Sequence, residues 1–135
     1  MDNASKMKLM TEKKVWAVIG VTPNLDKKSN QIYHTLLDNG YETYPINPKY
    51  KFLENGEPCY PSLDALPKVP DCVDFVVPPP VTMQQLEAMD PAVIKNVWLQ
   101  PGTYTDEILE YAESKGFTVV NDGACVMAYL NSNDR

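Results

Sequence analysis

Five short, mostly apolar runs separated by helical stretches constrain the fold of this 135-residue chain most strongly. The first run occupies 15–19 and stops at Gly20, and the others occupy 41–46, 73–77, 96–100 and 117–120. A continuous apolar run of this length suits a strand buried on both faces, as in a parallel sheet. Helical stretches between such strands are typical of βαβ crossovers. The sequence therefore predicts an α/β, Rossmann-like doubly wound fold, with a five-stranded, mainly parallel sheet and helices on both faces.

Single residues indicate where these elements begin and end. Pro45 lies in the second run, and because proline prefers sheet edges, we expect it near the end of that strand. Hydroxyl side chains at Ser29, Thr82 and Thr105 are candidate caps for the helices that follow the first, third and fourth runs. Gly116 marks the end of the helix before the fifth run.

The length is that of one domain, with a core large enough to fold without disulfides or metals. We expect a polar lead-in over 1–13, the α/β domain over 14–130 and a C-terminal tail over 131–135. No internal repeat or low-complexity tract divides the chain.

Composition excludes several classes of function. Twelve Lys and Arg against 18 Asp and Glu leave a net charge of −6, which disfavours sequence-independent nucleic-acid binding. No apolar run approaches a membrane span, and residues 1–11 lack the apolar core of a signal peptide, so we expect a cytoplasmic protein with no membrane contact. The single histidine, His34, and three widely spaced cysteines disfavour a metal site.

The loop after the first run is a candidate phosphate site. In doubly wound sheets, ligands bind beyond the carboxyl ends of the strands. Gly20 permits a sharp turn, Thr22 and Ser29 supply hydroxyl groups, and Lys28 adds charge beside a helix N-terminus. The alternative is an ordinary polar loop with exposed lysines.

Two absent motifs narrow the ligand. The GxGxxG fingerprint of dinucleotide-binding proteins is missing, since Gly20 is the only glycine before Gly40. The second run is followed by Asn47, Pro48 and Lys49, where NAD enzymes place a carboxylate on the ribose. A lysine there suits a ribose that carries an extra phosphate. The Walker pattern is also absent, which disfavours ATP hydrolysis.

Three other strand ends are candidates for ligand contact. The three consecutive prolines Pro78, Pro79 and Pro80 either form the walls of a flat apolar slot that suits an adenine ring, or simply end the strand. Gln100 and Gly102 offer an amide and a permissive backbone, or form a tight turn before a helix. Cys125 is either a reactive thiol or a small buried side chain. We find no catalytic triad and no pair of catalytic carboxylates.

Taken together, these segments resemble the small stand-alone CoA-binding proteins, which are related to the CoA-binding domain of the succinyl-CoA synthetase alpha subunit. The resemblance covers about 14–130. It is carried by VWAVIGVTPN at 15–24, KS at 28–29, GY at 40–41, PINP at 45–48, YPSL at 60–63, the run at 73–77, VWLQPG at 97–102 and VVND at 119–122.

The resemblance implies CoA or acyl-CoA as the ligand and gives each candidate residue a role. The pyrophosphate would contact Gly20, Thr22 and Pro23, with Lys28 adding charge and Ser29 a hydroxyl group. The 3′-phosphorylated ribose would lie near Asn47, Pro48 and Lys49. The adenine would be bordered by Val77, Pro78 and Pro79, and the pantetheine by Gln100 and Gly102.

The sequence departs from the family pattern at two places. Stand-alone members often carry a basic residue after the third strand, where this chain has prolines at 78–80. They often read Asp, a basic residue and Cys near the C-terminus, where this chain reads DGAC at 122–125. Because positive charge is missing at both places, phosphate binding is expected to be weaker, or the ligand to be a different one.

The leading hypothesis is a non-catalytic binding, carrier or regulatory module for CoA or acyl-CoA. One alternative is an NAD(H) or other nucleotide sensor, and another is an accessory subunit of an acyl-CoA synthetase. A mixed disulfide between Cys125 and the CoA thiol is a further possibility. The acyl group, the pathway, and the presence of a homodimer or protein partner stay open.

Overall fold

The computed structural model describes residues 1–132. Its elements are α1 (Asn3–Thr11), β1 (Val15–Ile19), α2 (Lys28–Asp38), β2 (Glu42–Ile46), a 3₁₀ turn (Leu63–Ala65), β3 (Cys72–Phe75), α3 (Pro79–Ala88), β4 (Asn96–Leu99), α4 (Asp106–Lys115), β5 (Thr118–Val120) and α5 (Val126–Asn131). The five strands form one sheet in the order β2-β1-β3-β4-β5, and all four pairings are parallel. The predicted fold class is confirmed.

The sheet is covered on both faces, because side chains of successive strand residues point to opposite sides. Trp16 and Val18 of β1 face a core completed by α1, α2 and α5. Ala17 and Ile19 face a second core completed by α3 and α4. From β1 the chain moves outward to β2 and then returns to β3, so the switch point of the sheet lies between β1 and β3.

Two of the three predicted helix caps are wrong. Helix α2 begins at Lys28 and α3 begins at Pro79, so Ser29 and Thr82 lie inside their helices and are buried. A proline suits the first helical position, because its φ is already helical and no N–H partner is needed there. The Thr105 cap is confirmed, because its hydroxyl accepts a hydrogen bond from the Ile108 N–H at 3.3 Å.

Helices α1 and α5 were not expected from the sequence. Helix α1 lies within the expected polar lead-in, and Met10 is its one buried residue. Its polar side chains bind backbone at the end of β5: Lys6 Nζ donates to the Val119 carbonyl at 3.1 Å, and Asn3 exchanges two hydrogen bonds with the Asn121 backbone. Residue 131 of the expected tail ends α5, and 133–135 lie outside the described residues.

Pro45 lies next to the last residue of β2, as expected, and β2 forms one edge of the sheet. On its outer side, the Tyr60 N–H donates to the Pro45 carbonyl at 3.0 Å, and the Asn47 N–H donates to the Tyr60 carbonyl at 2.9 Å. The segment at Tyr60 therefore pairs in parallel with the end of β2 on this edge.

Candidate functional site

A cavity of about 440 Å³, cavity A, lies where β1, β2 and β3 end, on the side of the sheet covered by α3. It brings together six residues singled out in the sequence: Gly20, Asn47, Pro48, Lys49, Val77 and Pro78. Gln84 and Gln85 of α3 also line it and were not expected. This is the switch point, where ligands of doubly wound sheets bind.

Gly20 allows the end of β1 to pack closely against the end of β3. Its φ is +105°, and its N–H donates to the Ile46 carbonyl at 2.8 Å. A Cβ at this position would lie 2.3 Å from the Val76 carbonyl oxygen and 2.7 Å from Val77 Cγ1. Only glycine fits, so the backbone itself forms this part of the cavity wall.

The loop between β1 and α2 is held in shape by its own side chains. Thr22 Oγ1 accepts from the Asn24 N–H at 3.2 Å, and Asn24 Oδ1 accepts from the Asp26 N–H at 2.9 Å. At the start of α2, the N–H groups of Lys28 and Ser29 find no acceptor within residues 1–132. The loop therefore leads into a helix N-terminus that can receive an anion.

Asn47 fixes two loops relative to each other. Its Nδ2 donates to the Val21 carbonyl and its Oδ1 accepts from the Lys49 N–H, both at 3.0 Å. Asn47, which lines cavity A, therefore also joins the end of β2 to the end of β1. The side chain of Lys49 is exposed at the rim of cavity A.

A second cavity of about 220 Å³, cavity B, lies on the opposite side of the same sheet edge. It is lined by Lys28, Ile32, Val76, Gln100, Pro101 and Cys125. The Gln100 side chain is buried, and its Oε1 accepts a hydrogen bond from the Val126 N–H at 3.0 Å. Gln100 therefore holds the start of α5, a partner that sequence reasoning missed because it lies 26 residues away.

Asp74, in the middle of β3, is the charged residue that the sequence reading missed. It is 0% exposed, and neither carboxyl oxygen has a hydrogen-bond partner among the described residues. Burial raises the pKa of Asp74 well above its ordinary value, and nearby Cys125 raises it further. Such burial disfavours the charged form of the carboxyl group. The only local signal is an acid inside an apolar run.

A polar cluster ties α2 to the loop that carries Lys49. Glu54 accepts from Asn30 Nδ2 at 2.6 Å and pairs with His34 Nε2 at 2.7 Å. Partial desolvation raises the pKa of Glu54, but the hydrogen bonds from His34 and Asn30 outweigh it and leave this pKa below its ordinary value. The cluster keeps the two lysine-bearing segments, at Lys28 and Lys49, in a fixed relation.

Comparison with known proteins identifies the family to which this arrangement belongs. Residues 14–130 match the family described as the CoA binding domain. The chain belongs to the CoA binding domain family. An ADP-forming acetate–CoA ligase of Archaeoglobus fulgidus is 32% identical over an alignment of 117 positions, and the match covers 79% of this chain and 17% of the ligase.

Solved structures similar to this CoA binding domain protein share its whole fold. A hypothetical protein from Pyrococcus horikoshii is 32% identical with a TM-score of 0.83, covering 94% of this chain and 88% of that one. A conserved hypothetical protein from Pyrococcus furiosus is 37% identical with a TM-score of 0.77, covering 85% of this chain and 97% of that one.

Within residues 1–132, no helix is long and apolar enough to cross a membrane.

Five residues expected at the ligand site of this CoA binding domain line neither cavity. Pro79 instead borders a groove of about 600 Å³ between α3 and α4, and Gly102 lies in the turn after β4 with φ +85°. Thr22, Pro23 and Ser29 belong to the loop and first helical turn between the two cavities. Their contacts with a ligand stay predictions.

Proposed function

We propose that this chain binds CoA across the carboxyl edge of the sheet, with the nucleotide in cavity A and the pantetheine arm in cavity B. The observation that carries the proposal is the convergence of three strand ends on cavity A, while the N-terminus of α2, at Lys28, lines cavity B. Consecutive residues after β3, Val76 and Val77, line cavity B and cavity A respectively, and an elongated ligand suits a site divided in this way.

The nucleotide end is supported by the chemistry of cavity A. Val77 and Pro78 supply apolar walls for an adenine ring, and Lys49 supplies a positive charge for the 3′-phosphate of the ribose. Pro48 and the backbone held by Asn47 set the position of that lysine.

The pyrophosphate belongs near Gly20 and the start of α2. Gly20 has no side chain to keep a ligand away from the backbone. The free N–H groups of Lys28 and Ser29, and the positive end of the helix dipole, favour an anion by about 0.3–1 kcal/mol. Thr22 and Pro23 lie in the same loop.

The pantetheine arm and its thiol are assigned to cavity B, beside Gln100. We propose a non-catalytic binding, carrier or regulatory role. A second candidate is an accessory subunit, because the Archaeoglobus ligase contains a similar segment within a much longer chain. Co-purification of a large partner chain would favour that second candidate.

Calorimetric titration of the reduced protein tests the proposal. We expect saturable binding of CoA, weaker binding of 3′-dephospho-CoA, and weaker binding still of NADH. Lys49→Gln should weaken CoA binding about tenfold, or about 1.4 kcal/mol, while leaving the affinity for 3′-dephospho-CoA unchanged. Lys51→Gln is the matched control, since Lys51 is exposed on the same loop but does not line cavity A.

Other outcomes would count against it. Equal losses for Lys49→Gln with both ligands would contradict the assignment of the 3′-phosphate. No CoA binding by the native chain, or tighter binding of NADH than of CoA, would refute the function itself.

A further inference from the structure

The backbone on either side of Cys125 is held by two side chains at the end of β4. Trp98 Nε1 donates to the carbonyl of Ala124 at 3.0 Å, just before the cysteine. Gln100 Oε1 accepts from the N–H of Val126 at 3.0 Å, just after it. Between these two anchored peptide groups, the half-buried Cys125 side chain lines cavity B. The thiol is therefore both accessible and fixed.

A second group marks the same place. Asp74 is the register partner of Trp98, so both side chains project from the same face of the sheet. Two residues further along β3, Val76 points to that face and lines cavity B. Asp74 is thus fully buried on the face of the sheet to which cavity B belongs, and neither of its carboxyl oxygens has a hydrogen-bond partner within residues 1–132. It lies close enough to Cys125 to interact with it electrostatically. Because burial disfavours the charged form of the Asp74 carboxyl group, its repulsion of a thiolate at Cys125 is reduced.

The other two cysteines lack these properties. Cys59 and Cys72 are buried, and each Sγ contacts a backbone carbonyl at 3.7 Å, that of Asn47 and Met10 respectively. Burial raises the pKa of both thiols, which lowers the fraction present as nucleophilic thiolate. Thiol chemistry in this chain is thereby confined to Cys125.

We propose that Cys125 is a thiol-exchange site that forms a mixed disulfide with the thiol end of CoA, an inference that rests on the proposed function. The Cys125 thiolate attacks one sulfur of CoA disulfide. The sulfur–sulfur bond of the reagent breaks, a new one forms between Cys125 and one CoA, and the other CoA leaves as a thiolate. The proton lost by Cys125 balances the proton that the departing CoA takes up, and no further oxidant is needed.

Intact-mass measurements on the folded, reduced protein test this. With CoA disulfide we expect one CoA adduct per chain, mapped to Cys125, released by dithiothreitol and absent from Cys125→Ser. Because binding raises the local concentration of the reagent, the rate should exceed that with cystamine, which lacks the nucleotide, by about tenfold or more. Adenosine 3′,5′-bisphosphate, which has no thiol, should slow the reaction of CoA disulfide but not that of cystamine.

Each other result has a definite meaning. No adduct on a protein that binds CoA calorimetrically would overturn this inference and leave the proposed function standing. Adducts on Cys59 or Cys72, or equal rates with both disulfides in a protein that binds CoA, would also overturn it. Equal rates together with no calorimetric CoA binding would overturn both the inference and the proposed function.

Discussion

Replacing Asp74 by asparagine should make the protein more stable at neutral pH, although it removes the charged residue from the centre of the sheet. The side chain is completely buried and has no hydrogen-bond partner among the described residues. Asparagine has nearly the same shape, cannot ionise, and also leaves polar atoms unpartnered. At pH values where the carboxyl group is neutral in both states, the two proteins should therefore differ little in stability.

The size of the effect follows from the direction of the Asp74 pKa. Burial raises this pKa in the folded chain above its ordinary value of 3.8, so the unfolded chain releases the proton first as pH rises. The stability that the protonated Asp74 carboxyl group contributes to the folded chain is complete below the pKa that Asp74 has in the unfolded chain. This contribution is lost as the pH rises towards the pKa that Asp74 has in the folded chain. Over that window, the wild-type free energy of unfolding falls by up to about 1.4 kcal/mol per pH unit relative to Asp74→Asn.

Urea unfolding at a series of pH values from 4 upward measures this difference. Trp16 and Trp98 are both buried, so their fluorescence reports unfolding. Asp38→Asn, at the exposed end of α2, is the matched control and should show no such trend. A difference between Asp74→Asn and wild type that stays constant with pH, or that favours wild type at pH 7, would refute the neutral buried carboxyl.

Three further predictions use the same unfolding assay. Gly20→Ala should cost about 3 kcal/mol or more, because its Cβ would lie 2.3 Å from a backbone oxygen at φ +105°, whereas Gly40→Ala, with open space at φ +88°, should cost only about 1 kcal/mol. Thr105→Ala should cost about 1 kcal/mol by loss of the α4 cap, and an unchanged midpoint would argue against the cap. Because the pKa of Glu54 is lowered in the folded chain, its ionised carboxylate contributes stability that is present above pH 4.5 and is lost on acidification. Glu54→Gln should remove that loss. If the stability of Glu54→Gln fell on acidification as steeply as that of wild type, the pairing with His34 would be contradicted.

The strands could be predicted because their signals are local. The run at 15–19 is apolar throughout, and the structure forms β1 over the same five residues. Pro45 was expected near the end of its strand, and β2 ends one residue later, at Ile46. Likewise Gly116, with φ +96°, ends α4 where the sequence placed the helix end.

The two terminal helices could not be predicted because their support is distant. Helix α1 buries only Met10, too little for a recognisable apolar face, and its polar contacts reach backbone more than 100 residues away. Helix α5 has six residues, and its first N–H is held by Gln100.

The candidate site could be located but not fully assigned. Strand ends pointed to Gly20, Lys49 and Val77, and these do meet in cavity A. The sequence could not reveal that Asn47 uses its side chain to join two loops. Nor could it reveal that the carboxyl oxygens of Asp74 are buried without a hydrogen-bond partner among the described residues. Both facts depend on which segments the fold brings together, and a local pattern carries no record of that.

The hydrogen bonds at the outer strands bear on how the protein avoids self-association. An uncovered edge strand offers a row of backbone groups to which a strand of another molecule can add. Here Lys6 occupies the outward carbonyl of Val119 on β5, and the segment at Tyr60 occupies the outer side of β2. A chain shortened by residues 1–11 would lose the buried Met10 and would expose β5 as a template. Such a chain should assemble edge to edge, and α1 would then serve both as part of the core and as a guard against polymerisation.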